Sequence, residues 1–167
     1  MKQSRKFAGE AAVLIVDDHA PMREAIRACI ERAFPGLSIV EAPDRATALK
    51  GVEAHCPSLV LMDMNLPDAN GLDLTREILN RWPAAFVAAI SVDASADLSA
   101  RAQAAGAVEF ISKDKLFHSL VPLVGAAIAV TKWMSSFKSD SMIRGEHPQS
   151  TTCHEVVQQQ NLYGNTA

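Results

Sequence analysis

Residues 59–71 read L-V-L-M-D-M-N-L-P-D-A-N-G. Leu59 to Met62 is an apolar run with no polar alternation, the pattern of a strand covered on both faces. It closes on Asp63, and a carboxylate at the tip of a buried run is costly unless a neighbour compensates it. Leu72, Ile78 and Leu79 then mark a helix. Residues 13–19, V-L-I-V-D-D-H, repeat the arrangement: an apolar run that ends in the acid pair Asp17 and Asp18.

Outward from these two segments, runs rich in Val, Ile and Leu predict strands over Ala12–Val16, Leu37–Glu41, Ser58–Met62, Phe86–Ile90 and Val108–Ser112. Helical spacing lies between them. Met22, Ile26 and Ile30 form one stripe and Ala46, Leu49 and Val52 another, while Ala94 to Ala105 forms an Ala-rich helix stopped by Gly106. A fifth helix carries Leu116, Leu120, Val124, Ala127 and Ile128. Pro122 falls inside it, and an interior proline costs ~3 kcal/mol, so a late start near Ser119 or a kink is expected. Regular alternation of strand and helix implies a three-layer α/β fold.

In such a sheet, functional groups gather at the carboxyl ends of the strands. Asp17 and Asp18 stand there on the first strand, Asp63 on the third, Ser91 on the fourth, and Ser112 and Lys113 on the fifth. Taken singly, each has a structural explanation. The acid pair suits a solvated loop beside His19, Asp63 a turn before Pro67, Ser91 a strand-end hydroxyl, Phe110 a core aromatic and Lys113 the surface. Their joint placement at strand ends is what argues for chemistry.

With A-I-S at 89–91 and A-G-A-V-E-F-I-S-K-D at 105–114, these segments closely resemble the receiver domains of two-component response regulators. The resemblance runs from about Ala12 to Val130 and rests on separated positions that agree in type, order and spacing. It implies a flavodoxin-like (βα)5 sandwich with parallel strands in the order 2-1-3-4-5. It also implies that Asp63 accepts a phosphoryl group from a sensor histidine kinase or phosphotransfer protein and later loses it by self-catalysed hydrolysis. Asp18 and Asp63 would bind Mg²⁺ directly, with Mn²⁺ a substitute, Asp17 would bind it through water, and the Asn65 backbone carbonyl would complete the set. Lys113 and Ser91 would contact the phosphoryl oxygens. Ser91 and Phe110 would form the switch, remodelling the face of the fourth helix, fifth strand and fifth helix, where a homodimer would form. Phe110 lacks the hydroxyl of the Tyr often found there. Lys113-Asp114, in place of Lys-Pro, resembles the subfamily that continues into a LuxR-type DNA-binding helix-turn-helix, which this chain would then lack.

Composition bounds the rest. The 167 residues, 49% apolar and 21% charged, suit one globular domain, and a net charge of −3 gives no general attraction to nucleic acid or anionic lipid. Residues 11–132 form the expected receiver domain, 1–10 an extension, and 133–167 a polar tail, flexible or partly helical, with a short amphipathic helix around His154 to Leu162. Cys29, Cys56 and Cys153 have no ligand spacing, and a reducing cytoplasm is expected. The apolar stretch Leu116–Val130 contains His118 and Pro122 and is shorter than the ~20 residues of a membrane span. Two other α/β chemistries fit poorly. Haloacid-dehalogenase phosphatases need their first two acids separated by one residue, and flavodoxins need a hydroxyl- and glycine-rich phosphate loop where this chain has D-D-H-A-P-M.

Overall fold

Apolar runs too short for helices pair edge to edge, and the carbonyls and amides of one run satisfy those of the next. The structure, a computed structural model, describes residues 12–142, with side chains through residue 134. The expected extension, most of the polar tail, the helix around His154 to Leu162 and Cys153 lie outside the described residues. The elements alternate without exception. They are β1 (Ala12–Val16), α1 (Ala20–Ala33), β2 (Ser38–Ala42), α2 (Arg45–His55), β3 (Leu59–Asp63), α3 (Gly71–Arg81), β4 (Phe86–Ser91), α4 (Ala96–Ala104), β5 (Glu109–Ser112) and α5 (Leu116–Met142). All strand pairs are parallel, in the order β2-β1-β3-β4-β5.

Strand alternation divides the core into two layers. Leu14, Val16, Val60 and Met62 face α2, α3 and α4, where they meet Ala48, Val52, Leu74, Ile78 and Ala102. Val13, Ile15, Leu59 and Leu61 face α1 and α5 and meet Ile26, Ile30, Leu116, Leu120 and Val124. Burial of each large side chain contributes ~2 kcal/mol, which is why β1 and β3 are closed to solvent along their whole length. The strand order places these two side by side inside the sheet, with the reversal of strand order between them, and their carboxyl ends therefore open onto one crevice.

Caps fix the helix starts. Asp44 accepts from the Thr47 amide at 2.7 Å, Asn70 from Leu72 at 2.8 Å and Ser95 from Leu98 at 3.3 Å. The Ser95 cap makes α4 begin at Ala96, two residues later than the Ala94 read from the sequence.

The expected late start of α5 is wrong. The helix begins at Leu116 and continues unbroken across Pro122. Pro122 and His118, whose carbonyl loses its helical partner, both lie on the exposed side, where the lost bond costs less than it would in the core. The segment Leu116–Met134 is long and apolar enough to span a membrane by length and composition. Its stripe of Leu116, Leu120 and Val124 is fully buried on the sheet, as in the core helix of a globular domain.

Gly106 follows α4 at φ 101°, and a Cβ there would come within 2.5 Å of Leu79 Cδ1. Gly36 also has positive φ, 84°, but open space around it. Gly106→Ala is therefore expected to destabilise the fold by about 2 to 3 kcal/mol and Gly36→Ala by only about 1 kcal/mol in urea unfolding.

Candidate functional site

Three strands deliver the site. At the tip of β1, Asp17 is 2% exposed, and Asp63, the last residue of β3, is also 2% exposed. Lys113 follows β5, and its amide donates to the Ser91 carbonyl at 2.8 Å, which carries the β4–β5 pairing one residue past the strand. From there its Nζ donates to Asp63 Oδ2 at 2.6 Å and to Asp17 Oδ2 at 2.9 Å. Asp18 is exposed beside them, and carboxylate oxygens of Asp17, Asp18 and Asp63 lie within 4.8 Å of one another. The sequence expectation that these four residues converge is met by this geometry.

The free oxygens are also held. Asp17 Oδ1 accepts from the His19 amide at 2.8 Å, and Asp63 Oδ1 from the Asn65 amide at 3.0 Å. Burial pushes the Asp63 carboxyl above its ordinary range, against the downward pull of Lys113 and the Asn65 amide. For Lys113, burial works against the charge, but the hydrogen bonds to Asp63 and Asp17 outweigh it and hold the ammonium above its usual range. The two directions are compatible because one cation serves two acids, so Lys113 gains from both while Asp63 has half a partner.

A cluster of hard carboxylate oxygens with one exposed member fits a divalent cation such as Mg²⁺, which keeps several waters and takes few protein ligands. An open hollow beside Asp18, lined by Met64, Asn65, Pro67 and Asn70, leads to it. Ser91 is fully buried, and its Oγ accepts from the Asp93 amide at 3.1 Å. Phe110 is half-buried and packs on the α4 side of the core, where it lines a second hollow with Ala94, Ser99, Lys115 and Ser119. Ser91 and Phe110 therefore stand on neighbouring strands, paired in the register Ala89↔Phe110 and Ser91↔Ser112.

A model of the response regulator receiver domain matches residues 13–124. The chain belongs to that family. Among curated relatives, the transcriptional activator protein ExaE of Pseudomonas putida is 36% identical over 101 residues, 60% of this chain and 47% of that protein. The response regulator UvrY of Escherichia coli (strain K12) is 30% identical over 125 residues, 74% of this chain and 57% of UvrY. The receiver spans about half the length of the curated relatives it matches. Solved structures agree on the fold. A CheY-like receiver domain protein from Methanospirillum hungatei JF-1 superposes with a TM-score of 0.68 at 23% identity, covering 75% of this chain and 99% of that one. A LuxR-family two-component response regulator from Aurantimonas sp. SI85-9A1 gives 0.66 at 28% identity, covering 80% and 99%.

Two contributors escaped the sequence reading. Gly71 opens α3 so close to the site that a Cβ would come within 2.5 Å of the Asp63 carbonyl oxygen and 2.6 Å of Met64 Cα. Its signal is the Asn70-Gly71 pair at a helix start. Arg23, on α1, donates to the Asp17 carbonyl at 2.7 Å, a contact to backbone that no side-chain pattern announces.

Because burial raises the Asp63 pKa, the folded state binds that proton more tightly than the unfolded chain, and stability falls as pH rises from the ordinary Asp range through the raised value. In metal-free buffer the stability of Asp63→Asn relative to wild type should increase across that window, as read from urea midpoints at stepped pH. A difference that stays flat would refute this electrostatic account.

Proposed function

We propose that this receiver is a Mg²⁺-dependent phosphoryl acceptor whose nucleophile is Asp63 and whose donor is a sensor histidine kinase or a phosphotransfer protein. The observation that carries the reading is the single ammonium of Lys113 shared by Asp17 and Asp63, with the carboxylate of Asp18 beside them. Asp18, Asp63 and the Asn65 carbonyl would hold Mg²⁺, or Mn²⁺ in its place, with Asp17 acting through water. When bound, the cation supplies positive charge to the phosphoryl oxygens and fixes their direction.

The residues of this chain do the rest. An Asp63 carboxylate oxygen attacks phosphorus, the bond from phosphorus to the donor's nitrogen or oxygen breaks with its electron pair leaving on the donor, and an aspartyl phosphate remains. Lys113 swings from the Asp63 carboxylate to the arriving phosphoryl group while it keeps Asp17. Water later cleaves the acyl phosphate, so the domain is a self-dephosphorylating acceptor and not a turnover enzyme. The modification adds nearly two negative charges and three acceptor oxygens at one point. Ser91 Oγ, now an acceptor for the Asp93 amide, turns to donate to a phosphoryl oxygen. Phe110 follows inward, and the α4-β5-α5 face changes shape for output through a homodimer or another partner. A coupling of ~1 to 3 kcal/mol is enough for such a switch. The reading places the chain in the cytoplasm, with no membrane and no direct nucleic-acid contact of its own.

A second reading concerns the output: this chain is the receiver part of a LuxR-type DNA-binding regulator. It is favoured by the longer relatives named as transcriptional regulators and by Lys113-Asp114.

Incubation with Mg²⁺ and acetyl phosphate should add one phosphoryl group by mass, and Asp63→Asn should abolish it. Wild-type protein that takes up nothing would defeat the proposal. Without a donor, Mg²⁺ at tenfold its Kd should stabilise the wild-type fold by about 1.4 kcal/mol in thermal unfolding, with most of the gain lost in Asp63→Asn. Beryllofluoride should shift the mass profile toward a dimer, and an unchanged monomer would remove phosphorylation-driven dimerisation.

A further inference from the structure

The acid pair at the end of β1 is held in place from outside the site. The Asp17 amide donates to the Ala42 carbonyl at the end of β2, at 3.2 Å. Its carbonyl accepts from Arg23 Nη1 at 2.7 Å, and Arg23 Nε donates to Glu41 Oε2 on β2 at 3.2 Å. The Arg23 side chain is only 13% exposed. Glu41 also receives Arg27, which in turn pairs with Glu31 at 3.2 Å. Thus the edge strand β2 and the first turns of α1 grip the Asp17 backbone on both sides.

The Asp17 carbonyl belongs to the same rigid plane as the Asp18 amide, because the peptide bond does not rotate. Asp18 is exposed, so its direction depends on the backbone that carries it. Cation ligands must keep their distances within about 0.2 Å, and a free peptide plane would not hold Asp18 to that tolerance. Arginine suits the task because its planar fork offers donors in two fixed directions, one for the carbonyl and one for Glu41, whereas lysine offers a single point.

We infer that Arg23 is a positioning residue of the phosphoryl-accepting site, which fixes the Asp17–Asp18 peptide plane through the Asp17 carbonyl and so aims Asp18 at the cation. This rests on the Mg²⁺-dependent reading above. Arg23 touches neither the phosphoryl group nor the cation. Its effect passes through the backbone, and it should set Mg²⁺ affinity more than the rate at saturating Mg²⁺.

The test is Mg²⁺ binding by calorimetry on the full chain without a phosphoryl donor, comparing wild type, Arg23→Met, Arg23→Lys and Asp63→Asn. Arg23→Met should weaken Mg²⁺ about tenfold, as loss of a group supporting metal ligands does. Arg23→Lys should recover part of the loss, and acetyl phosphate labelling of Arg23→Met should return toward wild type as Mg²⁺ is raised. If Arg23→Met only lowers the unfolding temperature and keeps the wild-type Mg²⁺ affinity, Arg23 is a scaffold residue and the inference is wrong. Should Arg23→Met not fold, Glu41→Gln loosens the same guanidinium while leaving its bond to the carbonyl. A Mg²⁺ affinity about threefold weaker supports the role, and an unchanged one overturns it. Wild-type protein that binds no Mg²⁺ would sink the receiver chemistry itself, and this inference with it. Wild-type binding matched by Arg23→Met would sink the role of Arg23 alone.

Discussion

One ammonium between two buried carboxylates organises this molecule. Lys113 leaves β5 and must pass the end of β4 to meet Asp63 on β3, two strand spacings or ~9 to 10 Å away, and Asp17, which comes from β1 one strand further on. A long flexible stem with a compact charge can do this and satisfy two acids from one point, where a guanidinium fork would commit to one. The sheet order is therefore part of the chemistry. With β1 beside β3 and β4 ending in the small Ser91, three strand tips come within reach of a single side chain.

The arrangement is costly without a cation. Asp63 is closed to solvent and shares its counter-ion with Asp17, so burial keeps its carboxyl above the ordinary range. The same electrostatic tension leaves a place for divalent charge among the oxygens of Asp17, Asp18 and Asp63. The fold carries the cost elsewhere, in a double core where Leu14, Ile15, Leu59 and Leu61 are fully enclosed.

Most of the architecture was legible because the central strands are apolar at every position. β1, β3 and β4 were placed within a residue, and the acids closing two of them were conspicuous as charges on buried runs. The edge strands were less distinct. Solvent reaches parts of β2 and β5, so hydrogen bonding decides their ends: the Leu37 amide turns back to Phe34, and β2 starts one residue later than its apolar pattern. The start of α5 was misread for a different reason. The penalty for an interior proline is smaller outside the core, and His118 and Pro122 both lie on the exposed side. Arg23 and Gly71 were missed because each acts on backbone, one by donating to a carbonyl and the other by the absence of a Cβ, and neither leaves a periodic mark.

The length of α5 has a mechanical meaning. Its 27 residues make a rod of ~40 Å, while the strands of four to six residues beneath it span ~20 Å at most. Among the described side chains, the buried anchors of the helix run from Leu116 through Leu120 and Val124 to Ala127, and fifteen residues, ~22 Å, follow them. The helix is a lever whose anchored and outer arms are of comparable length. A tilt of roughly 10° about the last anchor would move a tip ~22 Å away by ~4 Å, so a small adjustment beside β5 becomes a displacement large enough for another molecule to register.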